Sequence, residues 1–99
     1  MQIVFMGTST FAVPALEKLI NTGFEIAGVV TQPDRPRGRG KQLAVSPVKA
    51  TAMEYGLPIY QPERIKSGEA IEYISDWQPE LIITASYGQI IPPAILEMP

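Results

Sequence analysis

Four short apolar runs recur along the chain, and each has the composition of a strand that is buried on both faces. They occupy residues 3–6, 26–31, 58–60 and 81–85, and Ile and Val recur in them. Continuous rather than alternating apolar residues are typical of parallel strands covered by helices on both sides. The pattern therefore predicts a parallel sheet of four strands.

The intervals between these runs have helical spacing. In the first interval the apolar residues are spaced to form one face of a helix: Phe11, Ala15, Leu16, Leu19 and Ile20. Gly23 is the expected end of that helix, since glycine readily adopts the left-handed conformation found there. Ser46 followed by Pro47 predicts the start of a second helix, which would end near Gly56.

A third helix is predicted before the last strand, and a short one after it. The inner face of the third would carry Ile71, Ile74 and Trp77, and its solvated face Glu69, Glu72 and Asp76. Residues 92–96 could begin the short helix. The resulting alternation predicts an α/β fold, a Rossmann-like parallel sheet in strand order 3-2-1-4 with helices on both faces. No repeat or domain boundary interrupts residues 1–99.

Composition narrows the possible chemistry. The 99 residues are 45% hydrophobic, which is enough for one globular unit. They contain no cysteine and no histidine, which excludes disulfides, thiolate sites and a histidine base within these residues. The start of the chain has no signal-peptide pattern, and no apolar run approaches membrane-spanning length. We therefore expect a soluble, cytoplasmic protein with no membrane and no metal site.

Residues 33–41 are strongly basic in a chain of net charge −2. They hold half of its eight Lys and Arg residues, namely Arg35, Arg37, Arg39 and Lys41. Two prolines and two glycines argue against a helix or a central strand. The whole connection, residues 32–45, is longer than is usual between a strand and the following helix. Its length and charge favour a mobile loop that binds an anion. A merely solvated surface loop is the alternative.

Ligands of open α/β sheets bind beyond the carboxyl ends of the strands, where strand order reverses. In this order Gly7, Thr8 and residues 87–91 should line one crevice. Ser9 stands where the dinucleotide-binding fingerprint has its second glycine, which argues against a nicotinamide cofactor. Gly7 could simply permit a tight turn. The backbone of residues 87–92 could bind a flat heterocycle that Ile90 and Ile91 cover, or it could be a plain connection.

Several of these segments match one family in order and spacing. Residues 4–8, 11–14, 28–36, 38–41, 46–49 and 87–92 resemble the opening of methionyl-tRNA formyltransferases. The resemblance implies transfer of a formyl group from 10-formyltetrahydrofolate to the methionine of initiator methionyl-tRNA. Two departures from the family pattern are Ser9-Thr10, where Pro-Asp is frequent, and Arg37, where a small residue is usual.

The resemblance also implies roles for individual residues. The tRNA acceptor arm would be contacted by Arg35, Arg37, Arg39 and Lys41. The aminoacyl end would lie near Gly7 and Thr8. The folate would be bound by Tyr87, Gly88, Gln89, Ile90, Ile91 and Pro92.

No catalytic residue is expected within these 99 residues, because the family's catalytic Asn, His and Asp would follow residue 99. The chain would then be the N-terminal part of a formyltransferase catalytic domain, with no second domain. It would be inactive alone and could self-associate through the exposed edge of the fourth strand. Two alternatives remain: a non-catalytic RNA-binding α/β module, and a folate-dependent formyltransferase acting on a sugar or a purine precursor.

Overall fold

Strands and helices alternate along most of the chain in the computed structural model, which describes residues 2–37 and 42–99. In chain order the elements are β1 (Gln2–Gly7), a 3-10 turn (Thr10–Ala12), α1 (Val13–Asn21), β2 (Glu25–Val30), β3 (Arg35–Arg37), β4 (Gln42–Ala44), α2 (Pro47–Glu54), β5 (Ile59–Tyr60), α3 (Gly68–Asp76), β6 (Leu81–Ala85) and α4 (Pro93–Leu96).

The main sheet has the predicted topology. Its order is β5-β2-β1-β6 and every neighbouring pair is parallel. Numbered among the four predicted strands, this is the order 3-2-1-4. Phe5 at the centre of β1 pairs with Val29 on one side and Ile83 on the other. The prediction of a Rossmann-like sheet is confirmed.

The two faces of this sheet are covered by different helices. Phe5 points into a cluster with residues of α1 and α2, including Leu16, Val48 and Ala52. Val4 and its partners face the opposite side, where Ile74 of α3 and Ile95 of α4 are fully buried. Successive side chains of a strand point to opposite faces, so β1 feeds both clusters. Each such side chain stabilises the fold by roughly 1.5–3 kcal/mol through its burial.

The start of α1 differs from the predicted apolar stripe. Phe11 is 90% exposed and Ala15 is exposed, whereas Ala12 and Leu16 are buried. The physical reason is that Phe11 lies in the 3-10 turn, which has three residues per turn and does not continue the phase of the α-helix. The placement of Phe11 and Ala15 on the inner face was therefore wrong.

The predicted start of the second helix at Ser46 and Pro47 agrees with the structure, which also shows a cap on the third helix that was not predicted. Ser46 caps α2, since its hydroxyl accepts a hydrogen bond from the Lys49 amide at 3.0 Å, and Pro47 follows in the first turn. Ser67 caps α3 in the same way. At the end of α3 the Trp77 ring packs edge-on to two tyrosines that stack on each other, Tyr60 and Tyr73.

The basic connection contains regular structure that was not predicted. Strands β3 and β4 pair antiparallel, with Arg35 opposite Ala44 and Arg37 opposite Gln42. The sequence argued against a helix and a central strand here, and two paired edge strands were not predicted. Pro36 is compatible with a two-stranded ribbon because each strand in it is an edge. Arg39 and Lys41, two of the predicted RNA contacts, lie outside the described residues.

Candidate functional site

The carboxyl ends of three strands meet at Thr8. Its amide donates to the carbonyl oxygen of Ser86 at 3.1 Å, and its hydroxyl donates to the carbonyl oxygen of Tyr87 at 2.5 Å. The same hydroxyl accepts a hydrogen bond from the amide of Gln32 at 3.3 Å. The structure therefore brings the turns after β1, β2 and β6 together, and the sequence predicted this for the turns after β1 and β6.

Gly7 is needed for this close approach. A Cβ atom at Gly7 would lie 2.7 Å from the carbonyl oxygen of Ala85 and 2.9 Å from the Cβ of Ala12. Nearby, Ser86 adopts a positive φ of 51° and its hydroxyl is hydrogen-bonded to that of Ser9 at 2.6 Å. These contacts favour the tight-turn explanation of Gly7 and leave Thr8 as the polar group at the crevice.

A cleft of about 290 Å³ opens between this turn and the hairpin. It is lined by Thr8, Ser9, Thr10, Gln32, Pro33, Arg35, Ala44, Val45, Ser46 and Pro47. Thr8, predicted for the aminoacyl end, and Arg35, predicted for RNA, thus line the same cleft. The cleft combines a hydroxyl-rich turn with a guanidinium group.

Arg35 is the predicted RNA contact whose side chain the structure describes. Its side chain is 59% exposed, and its Nη1 lies 3.9 Å from a carboxylate oxygen of Glu63, itself well exposed. Ion pairs this long and this exposed contribute little to stability. The guanidinium group therefore remains available to an anion in the cleft, whereas for Arg37 only the backbone in β3 is described.

The connection after β6 divides into buried and exposed side chains. Tyr87 is 3% exposed and belongs to the α3/α4 core, and Ile91 packs against that core. Burial, together with the charge of Tyr60, raises the pKa of Tyr87 to about 12. Ile90, in contrast, is 93% exposed. Pro92 immediately precedes α4. Of the residues predicted to bind folate, Ile90 presents the most accessible apolar surface.

The side-chain amide of Gln89 makes hydrogen bonds within the protein through both its nitrogen and its oxygen. Its Nε2 donates to Oε1 of Gln32 at 2.9 Å and to the carbonyl oxygen of Glu63 at 3.0 Å. Its Oε1 accepts a hydrogen bond from the amide of Ile65 at 3.0 Å. Because both amide hydrogens are used, this side chain positions its neighbours rather than offering donors to a ligand.

A charged cluster next to the cleft was missed by sequence reasoning. Nζ of Lys49 donates to both carboxylate oxygens of Asp34, at 3.1 and 3.0 Å, and Nε2 of Gln61 donates to Oδ1 at 2.8 Å. Hydrogen bonds from Gln61 and then from Lys49 lower the pKa of Asp34 below its ordinary value. The three residues are 15 and 27 positions apart, so no local motif could have revealed the cluster.

Within residues 2–37 and 42–99, no group of three or more His, Cys, Asp or Glu side chains could hold a metal ion. None of the helices described is long and apolar enough to cross a membrane.

Comparison with known proteins agrees with this geometry. Residues 1–99 match the formyl transferase family model. Methionyl-tRNA formyltransferases from Syntrophomonas wolfei, Ruminiclostridium cellulolyticum and Bacillus subtilis are 57%, 54% and 51% identical to the chain over 99, 99 and 98 residues. The matches cover 99–100% of the chain, which spans about a third of the length of these relatives.

A solved structure supports the fold independently. The phosphoribosylglycinamide formyltransferase (purN) of Coxiella burnetii, solved in complex with CHES, aligns with a TM-score of 0.60 at 14% identity. The alignment covers 96% of the chain and 44% of that protein. Because the family model matches all of residues 1–99, the chain belongs to the formyl transferase family.

Proposed function

We propose that this chain is part of an enzyme that transfers a formyl group from 10-formyltetrahydrofolate to the methionine of initiator methionyl-tRNA. The observation that carries the proposal is the cleft lined by both Thr8 and Arg35, in a chain about half identical to methionyl-tRNA formyltransferases. A guanidinium group beside a polar turn suits a ligand with a phosphate backbone and a reactive end.

For the RNA, the hairpin supplies the positive charge. Arg35 would bind a phosphate of the acceptor arm, and Arg37, Arg39 and Lys41 would continue this surface along the basic run. Thr8 lines the cleft, and the aminoacyl group would arrive beside it and the preceding Gly7. An RNA end whose phosphate is bound by Arg35 would reach Thr8 within the same cleft.

For the folate, the connection after β6 would supply backbone groups and one apolar surface. Gly88 to Pro92 follow directly after the crevice, and exposed Ile90 could cover one face of a pterin ring. The buried ring of Tyr87 and the hydrogen-bonded amide of Gln89 would hold this segment in place. Formyl transfer also needs a group that removes a proton from the methionine amine, and the 99 residues contain no histidine. We therefore expect this chain alone to be inactive.

The proposal is tested in a chimera. The 99 residues replace the matching segment of the Ruminiclostridium cellulolyticum enzyme, and formylation of methionyl-tRNA is measured with 10-formyltetrahydrofolate as donor. We expect an active chimera in which Arg35→Ala raises the KM for tRNA roughly tenfold, the usual scale for one charge-assisted hydrogen bond. The KM for folate should stay unchanged.

Lys18→Ala is the matched control, because Lys18 lies in the last turn of α1 and hence at the opposite edge of the sheet. It should leave both KM values unchanged. A folded chimera that binds tRNA without formylating it would favour the RNA-binding module. A folded chimera that neither binds nor formylates tRNA would refute the proposal.

A further inference from the structure

The neck of the hairpin is the segment Gln32, Pro33 and Asp34, where the chain leaves β2 and enters β3. Its carboxylate, on Asp34, is held by both Lys49 and Gln61, as described above. Nε2 of Gln61 also donates to the carbonyl oxygen of Gln32 at 3.2 Å. The neck is thus tied to α2 and to the residue that follows β5.

The far end of the hairpin is tied to the same place. Ser46, which follows β4, is hydrogen-bonded through its hydroxyl to the hydroxyl of Thr31 at 2.7 Å. Thr31 directly follows β2 and is fully buried. Both ends of the 32–45 connection therefore converge on the start of α2, and Lys49 lies one turn into that helix.

A carboxylate at this position needs an explanation, because it stands next to Arg35 at the base of an arm that would bind phosphate. Free in solvent, Asp34 would repel an RNA backbone. Instead its side chain is 26% exposed and that of Lys49 is 18% exposed, against 59% for Arg35. Nζ of Lys49 lies 3.0 Å from Oδ2 of Asp34, and both side chains are less exposed to solvent than that of Arg35.

We propose that Asp34 and Lys49 are positioning residues that fix the direction of the hairpin and do not touch the RNA. The inference rests on the function proposed above. By orienting β3 before the RNA arrives, the pair lowers the entropy lost when Arg35 binds a phosphate. Lys49 is consequently not one of the cations that the RNA neutralises, although it is basic and close to the cleft.

Salt dependence separates a positioning residue from a contact. Each phosphate contact contributes about 0.7–0.9 to the slope of log affinity against log salt. We measure tRNA affinity of the chimera across a salt series for Lys49→Met, which keeps the aliphatic stem. We expect affinity to fall roughly tenfold with an unchanged slope, on the scale of mutations that act without contacting the ligand.

Three variants frame this measurement. Arg35→Ala should reduce the slope by about 0.7–0.9, since it removes a contact. Lys49→Arg should restore most of the affinity, because a guanidinium group can donate to both oxygens of Asp34. Lys18→Met, the same change on α1, should alter neither quantity. A reduced slope for Lys49→Met, or an unchanged affinity, would overturn the inference.

A second readout does not depend on RNA. Hydrogen exchange of the backbone amides of β3 and β4 is compared between the unaltered chain and Lys49→Met. Faster exchange there, with unchanged exchange in β1, supports the positioning role even if tRNA binding itself were absent, which would refute the proposed function alone. Equal exchange rates in β3 and β4 would refute the positioning role.

Discussion

The neck of the hairpin and the connection after β6 leave the same edge of the sheet, on either side of β1, yet they are held by different forces. The neck is held by a charged pair, Asp34 with Lys49. The connection is held by a neutral amide, Gln89, and by the buried ring of Tyr87. Charged groups make the neck sensitive to pH and salt, whereas shape and packing make the connection sensitive to added or removed atoms.

The two segments nevertheless touch. Oε1 of Gln32 accepts the hydrogen bond from Gln89, and Gly88 lies against the Gln32 side chain. Arg35 therefore directly follows a segment that is hydrogen-bonded to the proposed folate-binding segment. Substitutions on either side of this contact show which of the two attachments is the more rigid.

The largest effect is expected at Gly88. Its φ is +108°, and a Cβ atom there would lie 2.9 Å from Nε2 of Gln32. Gly88→Ala should lower the free energy of unfolding by about 2–3 kcal/mol, since it combines backbone strain with a steric clash. Chemical denaturation measures this loss.

Gly56→Ala is the matched control for that substitution. Gly56 also has a positive φ, +68°, but no atom lies within 4 Å of the position where its Cβ would stand. Only the backbone cost remains, about 1 kcal/mol. Equal losses for the two variants would show that the contact with Gln32 contributes nothing.

A smaller effect is expected at Gln89. Gln89→Leu leaves the amide of Ile65 and the carbonyl of Glu63 without their partner and should cost about 1–2 kcal/mol. Gln89→Glu keeps the acceptor for Ile65 but turns a carboxylate toward Oε1 of Gln32. It should cost at least as much at pH 7 and recover part of the loss near pH 4, where a protonated carboxyl can donate again.

The two Gln89 variants are compared by thermal unfolding at pH 7 and pH 4. Gln89→Leu serves as the control, since it has no titrating group and should show the pH dependence of the unaltered chain. If Gln89→Glu also showed that pH dependence, the donor role of the amide would be disproved.

The remaining effects appear at the two ends of the pH range. Tyr87 has a pKa of about 12 in the fold, against about 10 for an unfolded tyrosine. Above pH 10 the unfolded chain loses this proton first, so the stability of the fold falls as pH rises toward 12. Tyr87→Phe should remove that component. At pH 7 it should raise the free energy of unfolding by about 1 kcal/mol, because the buried hydroxyl has no hydrogen-bond partner among the described residues.

At the acid end the neck is the sensitive segment. The folded pKa of Asp34 is lowered, so its stabilising contribution is complete above the ordinary aspartate pKa near 3.8 and is lost as pH falls through the folded value. Asp34→Asn lacks this dependence. The difference in unfolding midpoint between the two proteins should therefore shrink below pH 4. A constant difference down to pH 2 would contradict the charged attachment.

Local pattern was sufficient for most of the fold and for little of the site. Continuous apolar runs predicted the sheet, and the pair Ser46-Pro47 predicted the start of α2, because burial and capping depend on neighbouring residues. Phe11 was misplaced because the 3-10 turn shifts the helical phase by an amount that the spacing of apolar residues does not record. The hairpin was missed because the prolines and glycines of this segment argue against a helix or a central strand and give no signal for a two-stranded ribbon.

The polar network of the site depends on the assembled sheet. Gln89 meets Gln32 across 57 positions, and Asp34 meets Gln61 across 27. Such pairs form only after β1, β2, β5 and β6 are in register, so spacing along the sequence cannot indicate them. Strand topology predicted that Gly7, Thr8 and residues 87–91 line one crevice, and Thr8 is hydrogen-bonded to the carbonyl oxygen of Tyr87. The resemblance assigned Tyr87 and Gln89 to the folate, which stays a prediction; the ring of Tyr87 is buried and the amide of Gln89 is hydrogen-bonded within the protein.

The aromatic cluster at the end of α3 gives the chain an internal optical probe. Trp77 is the single tryptophan of the sequence, and its ring lies 6.4 Å from that of Tyr60 and 5.4 Å from that of Tyr73. Light absorbed by these tyrosines can pass to the indole without any added dye. Tyr60 ends β5, an edge strand of the sheet, and directly precedes Gln61, which holds Asp34 at the neck of the hairpin. Tryptophan emission after tyrosine excitation would therefore report when β5 separates from α3.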